Sequence, residues 1–315
     1  MAVEGGSVVG IVGSMGLAPR LAARADGKTK AESVRTPYGS VDVLTGSIAG
    51  GRFAAVAKTG VAPFPGHNLP FRANLYALSK VGCSRTLSAS LATSISEKLR
   101  VADVFVPDDF IDLSGRAVSF FDGGLEGTHH AEMDAPFCAR LTREFASAAR
   151  SFGMRVALGG VAATVVGPHH PTAAEAARIA GMGASAVSFS AATEAKLARE
   201  LGMCIVAGAV VVREAAPHPG WRASAKAEAS DGPTEADLLR AFAEGREAPA
   251  EPKLHAKREP RPKGGRARAD LERLRASLKE VDARYEDAAA AFVPHAAALA
   301  PCPHCPRGAG PLPRP

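Results

Sequence analysis

Short β-branched runs alternating with stretches of helical periodicity are the feature that most restricts what this chain can fold into. The runs fall at Ser7–Val12, Val41–Leu44, Phe53–Ala57, Thr86–Ala92, Val104–Val106, Arg155–Leu158, Ala186–Phe189 and Ile205–Val212. Several are apolar on both faces, as expected for central strands of a sheet covered on two sides. Between them, apolar residues at helical spacing predict helices over Phe71–Val81, Pro136–Phe152, Thr172–Met182, Thr193–Leu201 and Pro233–Glu244. Pro136, one residue inside its helix, and Gly153, just past the end, fit the usual start and stop chemistry. Strands interleaved with helices predict an α/β layered domain. The pair Val41–Leu44 and Phe53–Ala57, joined through Gly50-Gly51, predicts a local hairpin and therefore a mixed sheet.

Charge divides the chain unevenly. Of 38 Lys/Arg and 32 Asp/Glu, residues 251–315 hold 13 and 8, leaving a nearly neutral 25 and 24 for residues 1–250. No apolar run approaches the ~20 residues of a membrane span. Met1–Gly6 lacks the basic and apolar regions of a signal peptide. An intracellular setting, cytoplasm or mitochondrial matrix, is expected. Cys83, Cys138 and Cys204 sit in apolar surroundings and read as buried thiols in a reducing compartment.

After Glu247 the composition changes. Ala248–Arg268 is rich in proline, and between Lys253 and Arg268 the seven basic residues Lys253, Lys257, Arg258, Arg261, Lys263, Arg266 and Arg268 stand against a single acidic one, Glu259. This reads as an extended basic arm, either solvated or in salt-dependent contact with RNA phosphates. No aromatic residues interleave, so base stacking is not indicated. Leu271, Leu274, Leu278, Val281, Tyr285, Ala288 and Phe292 recur at 3-4 spacing and predict an amphipathic helix over 269–292. In the tail, Cys302-Pro303-His304-Cys305 places two thiols so that both can grip one zinc ion. Two ligands are too few for a structural site, so His295 or a partner chain would have to complete it.

Gly10, Gly13 and Gly16 follow the first strand, where backbone amides can cradle a phosphate or simply make a tight turn. Their context is more specific. Gly10–Leu17, Thr36-Pro37-Tyr38-Gly39-Ser40, Arg72–Leu78, Pro107–Asp112, Phe120-Phe121-Asp122-Gly123-Gly124, Ala135-Pro136-Phe137-Cys138, Gly167-Pro168 and Ala195–Cys204 occur in this order. Together they resemble the methylthioadenosine phosphorylase branch of the purine nucleoside phosphorylase family, from about Ser7 to Glu244. Composition and periodicity set a basic C-terminal extension containing one amphipathic helix apart from the phosphorylase-like domain over 1–247, with the arm over 248–268, the helix over 269–292 and a Pro-rich tail over 293–315. The resemblance implies an α/β fold, with a phosphorylase-like mixed sheet flanked by helices. It also implies cleavage of a purine nucleoside by phosphate, no metal or organic cofactor, and a homotrimer.

Residue by residue, the resemblance implies a changed site. The phosphate-binding hydroxyl of the glycine loop (Gly13, Ser14, Met15) falls on Met15, which cannot donate. The family's Arg-His pair aligns with Lys58-Thr59. Ser90 and Ser94 lie on the strand that carries a further phosphate hydroxyl. On the nucleoside side, a family Glu aligns with Val166, and its Arg and Phe neighbours with His169 and His170. The ribose-contacting Met is Phe189, followed by Ser190. The two carboxylates that engage adenine align with Arg213 and Ala215. His130 matches a His near the 5′ substituent. Sites built to hydrogen-bond a base reject it when those partners are missing. The leading expectation is therefore a catalytically inactive phosphorylase-like subunit of a larger assembly with protein partners, a ribonucleoprotein such as a ribosome being one candidate. The alternatives are an active purine nucleoside or methylthioadenosine phosphorylase of altered specificity, and a nucleoside sensor.

Overall fold

The computed structural model describes residues 7–13, 16–59, 66–121, 130–215, 264–300 and 302, with side chains of the C-terminal helix described from Lys279 onward. Eleven strands form one mixed sheet. They are β1 (Val8–Gly13), β2 (Lys30–Thr36), β3 (Gly39–Ile48), β4 (Gly51–Ala57), β5 (Cys83–Ser94), β6 (Val104–Val106), β7 (Asp109–Asp112), β8 (Val156–Leu158), β9 (Val161–Thr164), β10 (Ala184–Ser188) and β11 (Cys204–Glu214). The main path runs β2-β3-β4-β1-β5-β10-β9-β7, and β11, β6 and β8 branch off beside β5. The twelve-residue β5 is the junction. It pairs in parallel with β1 and β11, and its last residues, Thr93 and Ser94, pair antiparallel with β10. The expected β3–β4 hairpin is present, with antiparallel register from Val43↔Val56 to Ile48↔Gly51.

Alternation along β1 explains the two layers. Val8 and Val12 point into one apolar cluster, Val9 and Ile11 into the other, and all four are buried. Helices α2 (Phe71–Lys80) and α5 (Ala191–Glu200) cover the first face through Leu75, Leu78, Ala195 and Leu197. On this face Tyr38, Tyr76 and Phe120, from three separated sequence blocks, meet with ring centroids 5.5–6.0 Å apart. The second face is covered by α1 (Leu17–Ala23), α3 (Ala139–Ser151) and α6 (Gly264–Ala298), while α4 (Ala173–Gly181) lies beside β10. Helix α4 begins with a reciprocal capping box between Thr172 and Glu175.

The C-terminal helix departs most from expectation. It is longer than the 269–292 stretch, running from Gly264 to Ala298 through Pro294. From Val281 onward its apolar stripe is packed against the sheet. Tyr285, Ala288, Ala289, Phe292, Val293 and Ala296 are buried in the second cluster against β1, β11 and α3. Phe145 meets Tyr285 and Phe292 edge-on, with centroids 5.7 and 5.8 Å apart. Close approach requires two glycines: a Cβ on Gly51 would lie 2.6 Å from Pro294 Cα, and one on Gly208 2.4 Å from a Phe145 ring carbon. Burying a side chain of the size of Phe292 contributes about 1.5–3 kcal/mol, so this helix is part of the core rather than an appendage.

Other differences are local. Helix α3 starts at Ala139 with Cys138 as its N-cap residue, so Pro136 precedes the helix instead of opening it. Strands β2, β7 and β9 were not expected; β2 is mostly exposed and its sequence, KAESVRT, is too polar to show a buried period. The helix expected over Pro233–Glu244 and the basic residues Lys253, Lys257, Arg258, Arg261 and Lys263 lie outside the described residues, whereas Arg266 and Arg268 fall within the first turns of α6. Among the described residues, no helix is long and apolar enough to cross a membrane.

Candidate functional site

The C-terminal ends of β4 and β5, together with the loop after β10, border a cavity of about 390 Å³. Lys58, Thr59, Ser90, Thr93, Phe189 and Ser190 line it from the sheet, His170 from the loop after β9, and Asp282, Tyr285 and Glu286 from α6. Parallel strands ending together leave such a crevice because the chain must leave the sheet there to enter the next helix.

Lys58 is fixed at the centre of a buried polar network. Its amide donates to the Gly13 carbonyl at 2.7 Å, and its own carbonyl accepts from Asn74 Nδ2 at 3.0 Å. The ammonium donates to Ser190 Oγ at 2.9 Å and to Glu194 Oε2 at 3.0 Å, and Ser88 Oγ donates to the same carboxylate oxygen. An ammonium has three donors, so one remains for a ligand. Glu194 Oε1 and Thr59 Oγ1 are buried without a hydrogen-bond partner among the described residues. This side of the cavity thus combines a held cation, hydroxyls from Thr59, Ser90 and Ser190, and polar atoms without partners among the described residues.

The opposite side is apolar and differently arranged. Phe189 packs where a Cβ on Gly167 would come within 3.0 Å of its ring. Arg116 anchors the segment by donating to the Phe189 carbonyl at 2.9 Å and the Val166 carbonyl at 2.8 Å. His170 Nδ1 lies 2.8 Å from Thr93 Oγ1, and its ring centroid is 6.0 Å from that of Phe189. Desolvation, and secondarily the Arg213 charge, lower the His170 pKa below its ordinary value.

Helix α6 adds acidic groups. Glu286 is buried against the glycine loop, where a Cβ on Gly16 would sit 2.4 Å from its Oε1, and it pairs with Arg20 Nε at 3.3 Å. Asp287 pairs with Arg24 at 2.8 Å. Burial raises the Asp282 carboxyl pKa, which Arg20 partly offsets. Tyr285 donates to the Gly208 carbonyl at 2.6 Å, and its phenol is strongly desolvated and held protonated.

Several sequence-derived positions move. Ser94 does not reach the cavity; its hydroxyl donates to the Ser96 and Leu99 carbonyls, both at 2.9 Å, and closes the turn after β5. Val166 and Arg213 are exposed, Ala215 is partly so, and none of the three lines the cavity. Gly13 is buried at the end of β1, Ser14 and Met15 lie outside the described residues, and His130 is exposed. Glu194 was missed, although its signal was present: with Ala191, Ala195 and Ala198 it shares the 3-4 face of α5, a charge on a buried stripe. Asp282 and Glu286 were missed because that helix was assigned to the C-terminal extension and not to the phosphorylase-like domain. Cys305 lies outside the described residues and His295 is exposed; Cys302 meets Cys138, 3.9 Å away.

The sequence profile of the Phosphorylase superfamily matches residues 8–245. An S-methyl-5'-thioadenosine phosphorylase of Thermofilum pendens is 34% identical over 208 residues, covering 64% of this chain and 77% of the relative. A probable 6-oxopurine nucleoside phosphorylase of Thermococcus kodakarensis is 34% identical over 193 residues, covering 59% and 72%. Among solved structures, the methylthioadenosine phosphorylase of Schistosoma mansoni in complex with tubercidin superposes with a TM-score of 0.70 at 20% identity, covering 93% of each chain. A methylthioadenosine phosphorylase from an antarctic soil metagenomic library gives a TM-score of 0.69 at 21% identity, covering 95% of this chain and 89% of the other.

Proposed function

The chain belongs to the phosphorylase superfamily, and from that membership we propose that its cavity binds a nucleoside beside an oxyanion and supports phosphate-dependent cleavage, with a base preference unlike that of its adenine-reading relatives. The observation that carries this reading is the convergence of Lys58, Thr59, Ser90 and Ser190 on one cavity that also admits His170 and Phe189. In such a reaction a phosphate oxygen attacks the anomeric carbon as the C–N bond breaks, and a proton ends on the departing base. Lys58 would orient the phosphate through its third N–H, with the hydroxyls completing the cradle. Glu194 holds the ammonium in place. The Phe189 ring would shield the oxocarbenium-like sugar from water. Asp282, whose pKa is raised by burial, is the cavity carboxyl suited to donate a proton. The Arg20–Glu286 pairing limits repulsion between α6 and an incoming anion.

Purified full-length protein incubated with a panel of purine and pyrimidine nucleosides tests this directly. Free base should appear only when phosphate is present. One observation favours the rival, non-catalytic subunit: Lys58 is already held by Glu194 and Ser190, and no residue at 166, 213 or 215 offers an inward carboxylate. Under that reading no nucleoside is cleaved at any phosphate concentration, and the protein instead co-purifies with a larger assembly.

A further inference from the structure

On the second face of the sheet, away from the cavity just described, three cysteines distant in sequence converge. Cys138 caps the N-terminus of α3, Cys204 opens β11, and Cys302 follows the end of α6. Their Sγ atoms all lie within 4.8 Å of one another. Cys138 and Cys204 are buried and Cys302 is half-buried, so the cluster has a protein interior and one side open to solvent. The Cys138–Cys302 separation is 3.9 Å across 164 residues of chain. A disulfide requires about 2.05 Å. Two thiolates held at ~2.3 Å by one tetrahedral zinc ion stand about 3.8 Å apart.

A buried cation stands beside the three sulfurs. Arg85, on β5 directly opposite Cys204 in the strand register, is buried and in electrostatic contact with all three sulfurs. Its guanidinium donates to the carbonyls of Ala296 (2.9 Å), Ala297 (3.2 Å) and Leu299, and Arg140 donates to the Ala300 carbonyl at 3.2 Å. These two arginines therefore fix the backbone that delivers Cys302 and place positive charge beside the sulfurs. Three thiolates around a dication leave one net negative charge, which the guanidinium of Arg85 offsets.

We propose that Cys138, Cys204 and Cys302 form a binding site for a thiophilic d10 metal ion of the zinc type, with solvent at the fourth position. Binding displaces the thiol protons and involves no change of oxidation state. It fastens the end of α6 to α3 and β11, and since α6 also carries Asp282, Tyr285 and Glu286 into the cavity, the site acts as a clasp on that helix. The probe is cobalt(II) and then zinc(II), added to full-length protein purified under reducing conditions. One equivalent of cobalt should give a thiolate-to-metal charge-transfer band with intense tetrahedral d–d absorption, and zinc should bleach it at one-to-one stoichiometry. Cys302→Ser, at a half-exposed position, should weaken cobalt binding at least tenfold, while Cys83→Ser, which alters a buried thiol elsewhere, leaves the spectrum unchanged. Native mass spectrometry of the same samples reports folding and metal count together. Absence of the charge-transfer band in folded protein, a spectrum unaffected by Cys302→Ser, or recovery of a Cys138–Cys302 or Cys138–Cys204 disulfide in place of bound metal would overturn the proposal.

Discussion

The cavity wall contrasts with the positions that align with the family's base-contacting residues. At the cavity, Lys58, Ser88, Ser190 and Glu194 form one buried network whose members come from β5, α5 and the residues beside β4 and α5. Outside the cavity lining, Val166, Arg213 and Ala215 sit at a strand end and in loops, at least partly exposed. The contrast has a physical cause. A buried ion pair cannot lose one member without stranding the other charge, so the network resists piecemeal change. Residues at exposed strand ends carry no such penalty.

Removing Lys58 tests the contrast most severely. Lys58→Met leaves Glu194 buried without its cation and should destabilise the protein by about 3–5 kcal/mol in chemical denaturation, with loss of phosphate dependence. Adding Glu194→Leu should recover most of that stability but none of the phosphate response. Next in size, Phe292→Ala should cost about 3–5 kcal/mol, read from the urea midpoint, because its ring is fully buried in the second core cluster. An effect below 1 kcal/mol would mean that the helix is peripheral. Tyr285→Phe removes the donor to the Gly208 carbonyl and should cost about 1 kcal/mol, a change confined to the midpoint.

The smallest effect concerns His170. Its folded pKa is lowered from 6.5 by burial, then by Arg213. The folded protein therefore holds this proton less tightly than the unfolded chain. The associated stability is present above pH 6.5 and is lost as pH falls through the depressed folded value. An NMR titration should place the His170 midpoint below 6.5, and Arg213→Ala should move it upward.

Much of the scaffold was legible because buried parallel strands are continuous apolar runs, as in β1 and β11. The helix expected over Thr172–Met182 is present as α4, and Lys58, Ser90 and Phe189 emerged from motif register. What escaped was long-range. Charge and proline content set residues 251–315 apart, yet Phe292 and Val293 complete a core that begins at Val9. No local periodicity says whether an amphipathic stripe will meet its own sheet or a partner. Likewise Cys138, Cys204 and Cys302 share no motif, and only the fold brings their sulfurs together. Ser94 shows the converse: its strand position suggested a ligand contact, but the chain turns one residue later and takes the hydroxyl for its own carbonyls.

The central claim is that the oxyanion side still serves phosphate while the base side has changed its preference. The most direct test is release of free base from a nucleoside panel by the full-length protein, measured with and without phosphate and repeated with Lys58→Met/Glu194→Leu. The account predicts release that requires phosphate, favours a nucleoside other than methylthioadenosine, and vanishes in the double variant. Absence of any phosphate-dependent release from the intact protein would contradict it.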